Sequence, residues 1–419
     1  MSKDFDVAIV GGGMCGLACA IGLAKSGIKI AVFEAAAAFE QVGAGVGLGP
    51  NSLRALKGLG LFDAVLTKSD QPKPTTRLFA FVEGTGTHKQ IFDYAESSGV
   101  KNCEGLGIYR PAFLDALMPL LDPTCISLNK RCTAIQELPS GRQLLHFSDG
   151  TTHETDLVIG ADGIRSITRK KVMGDGNDCL GFSGTYAYRG LIPIEQLKAE
   201  GVQTPVETRP YCYVGLGKHI ITFPIKGGTV LNVVAFDSSA HPGHLLPERP
   251  HPWVEIVSTK EIVGGWEGWG DEVQAIVSHL RNPSRWSIHT LHPPLKSYVR
   301  KRVVLVGDSA HAMLPHLGAG VGQGFEDVYV LCRLLSHQKT TKANLEAALA
   351  IYDELRVPRA NMVLEQSINM GKIYENYGPG HYDVEDIRRH IKGMWEPVWH
   401  HDLEAEVDGA IRRFEMEKV

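Results

Sequence analysis

The chain opens with an apolar run, a glycine cluster, a helical segment and a second apolar run. DVAIV (6–10) has the length and the β-branched content of a buried strand, and GGGMCG follows it directly. A helical segment comes next, and the run KIAVF ends immediately before Glu34. The pattern therefore predicts a strand, a turn, a helix and a second strand over residues 6–34.

The glycines of this unit have the spacing of a phosphate-binding turn. Gly11, Gly13 and Gly16 match G-x-G-x-x-G, in which the first glycine permits the tight turn and the second lets the backbone approach a pyrophosphate. The third lets the helix pack closely on the strand, and the N-terminus of that helix attracts a phosphate. Glu34 is placed to accept a hydrogen bond from a ribose hydroxyl. The unit predicts a dinucleotide site, and by itself it fits either NAD or FAD.

Two further apolar runs also lead to an acid. TDLVIGADG (155–163) reaches Asp162, and VVLVGD (303–308) reaches Asp308. In an open parallel sheet the carboxyl ends of the strands face one ligand crevice, so Glu34, Asp162 and Asp308 are expected to meet there. A long ligand contacted by the first and last thirds of the chain fits FAD better than NAD.

Two other segments carry candidate cofactor contacts. The stretch 41–61 is a second glycine-rich loop, containing Gly45 and Gly47, that runs into a helix. Another helix is predicted over 108–121, and Arg110 at its start is a fixed cation that could meet a phosphate. An ordinary surface charge is the alternative interpretation of Arg110.

The middle of the chain has a pattern typical of β-strands. The segments YAYRGLIPI, YCYVGLGKHIITFPI and TVLNVVAF, all within 180–290, predict strands of a separate sheet. From residue 345 the pattern is helical, and the charged tail carries Trp395 and Trp399 as apolar anchors. The chain is therefore expected to close with a helical segment.

Composition and charge narrow the class of protein. The 419 residues are 43% hydrophobic and 21% charged, which indicates a globular chain long enough for two domains. The formal net charge of −4 gives no electrostatic reason to expect nucleic acid, and no long apolar or basic amphipathic stretch predicts a membrane partner. Eight cysteines without a CxxC pair indicate reduced thiols and a cytoplasmic location. No metal-ligand spacing and no Ser/His/Asp pattern appears.

Three motifs together resemble a known family, the class A FAD-dependent aromatic monooxygenases of the para-hydroxybenzoate hydroxylase fold. They are GGGMCG with Glu34, ADGIRSITR (161–169) and GDSAHAMLPHLGAGVGQGFED (307–327). The last motif, the segment KHIITFPIKGG and the tail WHHDLEAEV are most similar to salicylate hydroxylases. Two positions depart from the family pattern: Ala35 stands where members often have Arg, and Leu317 where many have Gln.

The resemblance covers nearly the whole chain and implies an α/β architecture. A Rossmann-type FAD-binding domain, similar to that of glutathione reductase, would carry an inserted β-sheet substrate domain and a C-terminal helical segment. The boundaries expected on this basis are 1–178 and 291–372 for the two parts of the FAD-binding domain, 179–290 for the substrate domain and 373–419 for the C-terminal segment.

The resemblance also implies which residues hold FAD. Asp308 would bind the ribityl hydroxyls, and the glycine-rich loop after it would lie against the flat isoalloxazine ring. The next helix would point its N-terminus at the pyrimidine edge of the ring, where reduced flavin becomes anionic. The expected FAD contacts are Gly11, Gly13, Gly16, Glu34, Gly45, Gly47, Arg110, Asp162, Asp308, Gly320 and Val321.

Three residues are candidates for handling an aromatic substrate. Arg189 is the best cation for an anionic or phenolate substrate, with a salt bridge that supports the sheet as the alternative. His316 lies where the loop of this family lines the substrate side of the ring, and His219 lies on a predicted strand of the middle sheet. A structural role is the alternative for both histidines, and it is the favoured interpretation of His311.

The resemblance implies a complete reaction as well. NADH or NADPH would reduce FAD, and the reduced flavin would react with dioxygen to form a C4a-hydroperoxide that hydroxylates a phenolic acid. The protein would position ring and substrate, exclude water and favour the phenolate. Salicylate, converted to catechol with loss of carbon dioxide, is the leading hypothesis. The expected partners are a small aromatic molecule and dioxygen, and the protein would be a monomer or a homodimer.

Three alternatives remain open. The enzyme could hydroxylate another hydroxybenzoate or a phenolic polyketide. An NAD-dependent dehydrogenase would explain residues 6–34 but would leave Asp162 and Asp308 without a role. A non-catalytic binding protein with the same fold would have no reason to keep the glycine-rich loop after Asp308.

Overall fold

A computed structural model describes residues 3–39, 45–69, 71–76, 78–96, 103–174, 179–240 and 246–416. The strands within them are, in chain order, β1 (Asp6–Val10), β2 (Lys29–Phe33), β3 (Gly45–Leu48), β4 (Thr75–Thr76), β5 (Ala80–Glu83), β6 (Gln90–Asp93), β7 (Glu104–Tyr109), β8 (Ile126–Ser127), β9 (Cys132–Glu137), β10 (Gln143–Phe147), β11 (Thr152–Thr155), β12 (Leu157–Gly160), β13 (Leu180–Pro193), β14 (Tyr211–Gly215), β15 (Lys218–Ile225), β16 (Val230–Asp237), β17 (Leu246–Pro247), β18 (Val254–Ile256), β19 (Ser284–Leu291), β20 (Val299–Arg300) and β21 (Val303–Leu305).

The helices of the same residues are α1 (Met14–Ala24), α2 (Pro50–Gly58), α3 (Phe62–Leu66), α4 (Arg110–Leu117), α5 (Ile167–Met173), α6 (Ile194–Ala199), α7 (Thr259–Gly265), α8 (Asp271–Ser278), α9 (Asp308–His311), α10 (Gly320–Ser336), α11 (Leu345–Tyr374), α12 (Val384–Ile391), α13 (Glu396–Trp399) and α14 (Leu403–Met416). None of these described helices has both the length and the apolar composition needed to cross a bilayer.

A parallel sheet forms the layer that the opening pattern predicts. Its order is β20-β21-β12-β1-β2-β8, and its neighbours run parallel apart from the β20–β21 pair. The side chains of β1, β12 and β21 are almost completely buried, as expected for parallel strands covered on both faces. The predicted strand–turn–helix–strand unit is confirmed as β1, α1 and β2, and the α/β fold class is confirmed with it.

A larger, mostly antiparallel sheet forms the second layer. Its order is β18-β19-β13-β16-β15-β14-β5-β6, with β17 beside β13 and with β14 and β5 running parallel. Strands β13 to β19 come from the β-rich region noted in the sequence, whereas β5 and β6 come from residues 80–93. The large sheet thus draws on two separate parts of the chain, and the proposed domain boundaries stay a prediction.

The second glycine-rich stretch is partly a strand. Residues 41–44 lie outside the described residues, and Gly45–Leu48 forms β3, which pairs antiparallel with β7 before α2 begins. A Cβ added to Gly105 of β7 would lie 2.8 Å from the carbonyl oxygen of Leu48. Glycine at this position therefore allows the close approach of the two backbones.

Helices cover both faces of the large sheet. One face packs against α6, α7 and α8 through a buried cluster that includes Trp266 and Ile276. Part of the opposite face packs against α11, α12 and α13 through a cluster that includes Tyr374 and Trp395. The C-terminal helices therefore cover one part of this face of the large sheet. The rest of the face is turned towards the parallel layer.

A buried charge network joins α10 to α11. Arg356 of α11 contacts Glu326 through Nη1 at 2.9 Å and Asp327 through Nε at 2.8 Å, and all three side chains are almost completely buried. Arg359 adds a contact of 3.2 Å to Glu326. Burial opposes ionisation of both carboxyls, but the neighbouring arginines hold the pKa of Glu326 below its usual value, and His311 and Arg356 do the same for Asp327.

Arg356→Leu is expected to lower the free energy of unfolding by about 3–5 kcal/mol, because it leaves two carboxylates buried without their main cation. Urea-induced unfolding at neutral pH measures the change. Arg413→Leu is the matched control, since it breaks an exposed pair with Glu354 and should cost less than about 1 kcal/mol. Equal losses in the two variants would contradict the proposed importance of the network.

Candidate active site

The carboxyl ends of three neighbouring strands bring distant turns together. β12 lies between β1 and β21 in the parallel sheet. A Cβ added to Gly11 would lie 2.3 Å from the carbonyl oxygen of Ala161, and one added to Gly307 would lie 3.0 Å from Sγ of Cys15. The glycine motif near the N-terminus and the Gly307–Asp308 turn therefore border the same groove.

The glycine motif has the backbone geometry that a phosphate site needs. Gly11 has a φ of +105°, a left-handed conformation that favours glycine. A Cβ on Gly16 would lie 2.0 Å from the carbonyl oxygen of Gly11, so α1 packs directly on the turn. Gly13 caps α1 without a side-chain hydrogen bond and has open space where a Cβ would be. The first N–H groups of α1 are therefore available to an anionic ligand.

Glu34 follows β2 and is fixed by two backbone groups. Its Oε2 accepts a hydrogen bond from the N–H of Gly12 at 2.7 Å, and its Oε1 accepts one from the N–H of Ala36 at 2.8 Å. The carboxylate is half-buried beside the glycine turn. Each oxygen has a second lone pair, so these bonds leave the predicted contact with a ribose hydroxyl chemically possible.

Asp162 is turned towards α5. Its carboxylate accepts hydrogen bonds from the hydroxyls of Ser166 and Thr168 and from the backbone N–H groups of Ile167 and Thr168, over 2.5–3.0 Å. These contacts organise the first turn of α5. The geometry gives Asp162 a structural task that the sequence did not reveal, and its predicted contact with the cofactor stays a prediction.

Asp308 faces a groove lined by protein. Its side chain is exposed to solvent, yet burial by the surrounding atoms raises the pKa of its carboxyl, with His311, Arg110 and Arg169 acting in the opposite direction. Arg110, at the first position of α4, is exposed and close enough to affect this carboxyl. The groove thus offers a carboxylate for hydroxyl groups and a guanidinium for a phosphate.

The loop between α9 and α10 keeps its backbone accessible. Gly318 has a left-handed φ of +61°, and open space lies where its Cβ would be. Gly320 begins α10, whose N-cap Ala319 makes no side-chain capping bond, and Val321 is half-buried behind it. A Cβ on Gly322 would lie 2.5 Å from the hydroxyl oxygen of Ser52, so the first turn of α10 rests on α2.

Strand β3 borders the same region. A Cβ on Gly45 would lie 3.4 Å from the ring of Phe223, a residue of the large sheet, and no atom lies within 4 Å of a Cβ on Gly47. β3 therefore runs between the parallel layer and the large sheet. Gly47 therefore leaves open space beside this strand.

His219 and Arg189 lie on one face of the large sheet but not side by side. His219 pairs with Phe236 and Phe236 with Ala187, whereas Arg189 pairs with Val234. Side chains of directly paired residues share a face. Two strand spacings and a rise of two residues separate the Cα atoms of His219 and Arg189 by about 12 Å.

Arg189 is directed towards the β19 side of this face. Its guanidinium lies 5.1 Å from the ring centre of Trp286, and its Nε is buried without a hydrogen-bond partner in the described part of the chain. Burial lowers the pKa of Arg189. This half-buried cation could meet an anionic ligand, but the structure does not place it beside the two candidate histidines.

The two candidate histidines do meet. The ring centres of His219 and His316 are 5.1 Å apart, and the ring of Phe236 stacks on His219 at 4.5 Å. Nδ1 of His219 lies 3.0 Å from Oε1 of Glu375, the residue that follows α11. His316 comes from the α9–α10 loop and lies over Gly371, where a Cβ would be 2.6 Å from the imidazole ring. The loop, the sheet and α11 therefore converge on one imidazole pair.

Each imidazole keeps one nitrogen without a partner. Nε2 of His219 and Nδ1 of His316 are buried and make no hydrogen bond to the described residues. Burial lowers the pKa of both histidines to about 3, so both rings are neutral at neutral pH. An unmet buried nitrogen costs about 1–3 kcal/mol, and such groups are often found where a ligand or a catalytic role explains them.

Glu375, Phe236 and Tyr374 belong to this cluster but were not among the sequence candidates. Tyr374 lies 5.3 Å from the ring centre of His219, and its hydroxyl donates to the carbonyl oxygen of His316 at 3.3 Å. Glu375 stands in the segment KIYENYGPG, whose glycines and proline indicate the end of a helix but which contains no motif that marks a functional residue. The alternation of β16 was the available signal for Phe236, because it predicts that Val234 and Phe236 share a face.

Known proteins match the chain over most of its length. The family model described as FAD binding domain matches residues 4–189 and 268–367. The chain belongs to this family. A salicylate hydroxylase of Pseudomonas putida is 40% identical over 411 residues, which span 96% of this chain and 93% of that protein. A 6-methylsalicylate 1-monooxygenase of Aspergillus terreus is 34% identical over 99% of this chain and 93% of its own length.

A solved structure agrees with these relatives. A salicylate hydroxylase substrate complex superimposes with a TM-score of 0.86 at 31% identity, covering 97% of this chain and 98% of that chain. The protein is thus an FAD-dependent aromatic monooxygenase of the salicylate hydroxylase type, and the predicted resemblance is confirmed. The dehydrogenase and the non-catalytic alternatives are set aside. Its reaction requires a small aromatic substrate and dioxygen, and enzymes of this type use NAD(P)H as co-substrate.

The groove fits FAD on its own geometry. The uncapped start of α1 and Arg110 suit the pyrophosphate, the carboxylate of Asp308 suits a polyhydroxyl chain, and the open glycine loop with the uncapped start of α10 suits a flat, electron-rich ring. The individual contacts of these residues with FAD remain predictions. When bound, FAD supplies the electron transfer and the oxygen chemistry that protein side chains lack.

Asp308→Ala is expected to raise the Kd for FAD at least tenfold, because a hydrogen-bonding carboxylate in the groove is lost, at a cost of about 1.4 kcal/mol or more. Titration of the deflavinated protein with FAD, followed by flavin fluorescence, measures the Kd. Asp63→Ala removes an exposed acid of α3 and should leave the Kd unchanged. An unchanged Kd in a correctly folded Asp308→Ala protein would argue against the contact.

The two buried histidines predict a loss of stability in acid. Their folded-state pKa of about 3 lies below the ordinary value of 6.5, so the folded protein binds fewer protons than the unfolded chain between these limits. The stability they contribute is complete above pH 6.5 and is lost as the pH falls towards 3. Between pH 7 and pH 5 each histidine should cost about 2 kcal/mol.

His316→Asn should therefore reduce the loss of unfolding free energy between pH 7 and pH 5 by about 2 kcal/mol. Urea-induced unfolding at both pH values gives the comparison. His381→Asn is the control, because it makes the same substitution at an exposed histidine, which is hydrogen-bonded to Asn376. If His316→Asn and wild type lose the same free energy, His316 is not held neutral by burial.

Proposed function

We propose that this monooxygenase converts salicylate to catechol, with NADH or NADPH as the electron donor. The observation that carries the proposal is the pair of buried, neutral histidines that present unpartnered ring nitrogens between the large sheet and the α9–α10 loop. The salicylate hydroxylases among the relatives support the choice of substrate. The reaction balances when one oxygen atom of dioxygen enters the ring carbon that loses carbon dioxide and the other leaves as water.

The proposed roles follow from the chemistry of each side chain. A neutral imidazole nitrogen can accept the proton of a phenolic hydroxyl, and the dry surroundings of His219 and His316 exclude competing water. The ring of Phe236 would bound the substrate site beside them. Arg189, which is about 12 Å from His219 by strand geometry, would serve a distant anionic group or steer an anionic substrate inward.

Another hydroxybenzoate is the second candidate substrate. The Aspergillus terreus relative acts on 6-methylsalicylate by its name, and Leu317, where many members have Gln, is buried beside His316. An apolar residue here would tolerate an additional methyl group or the larger ring system of a phenolic polyketide. The two candidates share the hydroxybenzoate core and differ in the volume that the site must accept.

We also propose a cytoplasmic location and either a monomeric or a homodimeric state. The cysteines form no disulfide in the described part of the chain, which agrees with a reducing compartment. Size-exclusion chromatography with light scattering distinguishes the two states.

A screen of phenolic acids tests the proposed reaction. Salicylate should stimulate oxidation of NADH or NADPH by the purified yellow protein and should yield catechol and carbon dioxide in equal amounts. Methylsalicylate and para-hydroxybenzoate, assayed with both nucleotides, show which ring substituents the site accepts. Stimulated oxidation that yields only hydrogen peroxide would make salicylate an effector and would overturn the assignment.

A further inference from the structure

Glu375 connects the buried histidines to the edge of the site. Its Oε1 lies 3.0 Å from Nδ1 of His219, and its backbone carbonyl accepts a hydrogen bond from the N–H of Gly217 at 2.8 Å. The side chain of His219 has no exposed surface, whereas 12% of the Glu375 side chain is exposed. Glu375 is therefore the member of this pair that can exchange a proton with solvent.

The carboxylate of Glu375 is held on its other side as well. The hydroxyl of Ser238 bonds to it, and that hydroxyl also lies 2.7 Å from the hydroxyl of Thr185. Thr185 and Ser238 are buried, so the chain of hydrogen bonds lies inside the protein. His219 of β15 and Ser238, which directly follows β16, thus hold the Glu375 carboxylate from two sides.

The charged and titratable groups around Glu375 come from several elements. His219 and Cys212 approach it from the large sheet, and His316 approaches it from the α9–α10 loop. Asp237, at the end of β16, also acts on it and is paired with Lys218 at 3.1 Å. The base nearest to Glu375 is therefore an imidazole that burial keeps neutral, not a permanent cation.

The protonation of Glu375 determines which nitrogen of His219 carries the proton. An ionised Glu375 accepts from Nδ1–H, which leaves a lone pair on Nε2. A protonated Glu375 donates to Nδ1, and the ring proton then lies on Nε2. Nε2 is the atom that has no partner among the described residues. The carboxyl therefore switches Nε2 of His219 between acceptor and donor.

We propose that Glu375 is a positioning residue that holds His219 as the Nδ1–H tautomer and takes up the proton released when a phenolic substrate ionises. The inference rests on the proposed function. In the step, Nε2 of His219 accepts the proton of the substrate hydroxyl while Nδ1–H gives its proton to the carboxylate of Glu375. The substrate becomes a phenolate, Glu375 is protonated, and His219 stays neutral with its proton on Nε2. The two transfers reverse when the oxygen of the product takes back a proton, which restores the Nδ1–H tautomer and the ionised Glu375.

Coupling of the two transfers explains why a histidine that resists protonation can serve here. Burial lowers the pKa of His219 to about 3, so an imidazolium would be costly, but this path never forms one. Burial raises the pKa of Glu375 to about 7, where a carboxyl can accept and release a proton at neutral pH. Below pH 7 Glu375 is protonated and cannot accept, so ionisation of the substrate should fall as the pH falls.

Glu375→Gln in the FAD-loaded enzyme tests the inference. The amide oxygen can still accept from Nδ1–H of His219, so the tautomer is kept while uptake of the proton is lost. A nitro-substituted salicylate, whose phenolate has its own absorbance band, reports the ionised fraction of the bound ligand from pH 5 to pH 9. Wild type should show a midpoint near pH 7, and the variant should lose this midpoint.

Steady-state kinetics with salicylate provide a second measurement. Glu375→Gln should lower kcat by on the order of 100-fold, the usual scale of general acid–base effects, with KM changed less than about threefold. Glu83→Gln is the matched control: its carboxylate accepts from the hydroxyl of Tyr377, two residues beyond Glu375, and touches neither histidine. This control should keep both the midpoint and kcat.

The outcomes separate this inference from the proposed function. If Glu375→Gln keeps the wild-type midpoint and kcat, Glu375 does not carry the proton, while formation of catechol by wild type would still support the substrate assignment. If wild type ionises the bound nitro-salicylate with a midpoint near pH 7 and Glu375→Gln loses this midpoint, but wild type forms no catechol, the substrate assignment fails and the role of Glu375 stands. A loss of folding in the variant, seen by circular dichroism, would assign Glu375 a purely structural role and overturn the inference.

Discussion

One buried carboxylate orders the elements on which both halves of the site depend. Asp327 accepts hydrogen bonds from Nε of Arg356 at 2.8 Å, from Nε2 of His311 at 2.6 Å and from the backbone N–H of Gly307 at 2.8 Å. It thereby links α10, α11 and the turn that presents Asp308. The position of the groove follows from this link, because Gly307 sets where the Asp308 side chain enters it.

Stability alone does not explain so many buried charges. Replacing a buried ion pair by packed apolar side chains is often neutral or stabilising, so Glu326, Asp327 and Arg356 need another reason. An apolar residue in place of Asp327 would leave the N–H of Gly307 unmet, at a cost of about 1–3 kcal/mol, and would release His311. The network is therefore best understood as a device that fixes the backbone conformation of the Gly307–Asp308 turn. The interpretation of His311 as a structural residue agrees with these contacts.

The sequence predicted the cofactor side of the fold far better than the substrate side. Strand, glycine turn and helix are local patterns, so β1, α1 and the convergence of Gly11 with Asp308 could be predicted from spacing and from the geometry of parallel sheets. The pairing of β5 with β14 and the approach of Glu375 to His219 join segments more than a hundred residues apart, and no local periodicity encodes them. Asp162 is a further example: the sequence motif that contains it could be recognised, but its hydrogen bonds to the start of α5 could not be predicted from that motif.

Helix α11 explains how the two halves stay in register. Arg356 and Glu375 are 19 positions apart on and just beyond this helix, which places them about 28 Å apart along its axis. Gly371 and Glu375 are four positions apart and so share a face, which puts the imidazole over Gly371 within reach of the carboxylate. The helix that contacts Asp327 through Arg356 therefore also places Glu375 against His219. A Cβ at position 371 would lie 2.6 Å from the His316 ring, so any larger residue would displace this imidazole from its place beside Glu375 and His219. Glycine at this position therefore helps to set the substrate side, as Asp327 helps to set the cofactor side.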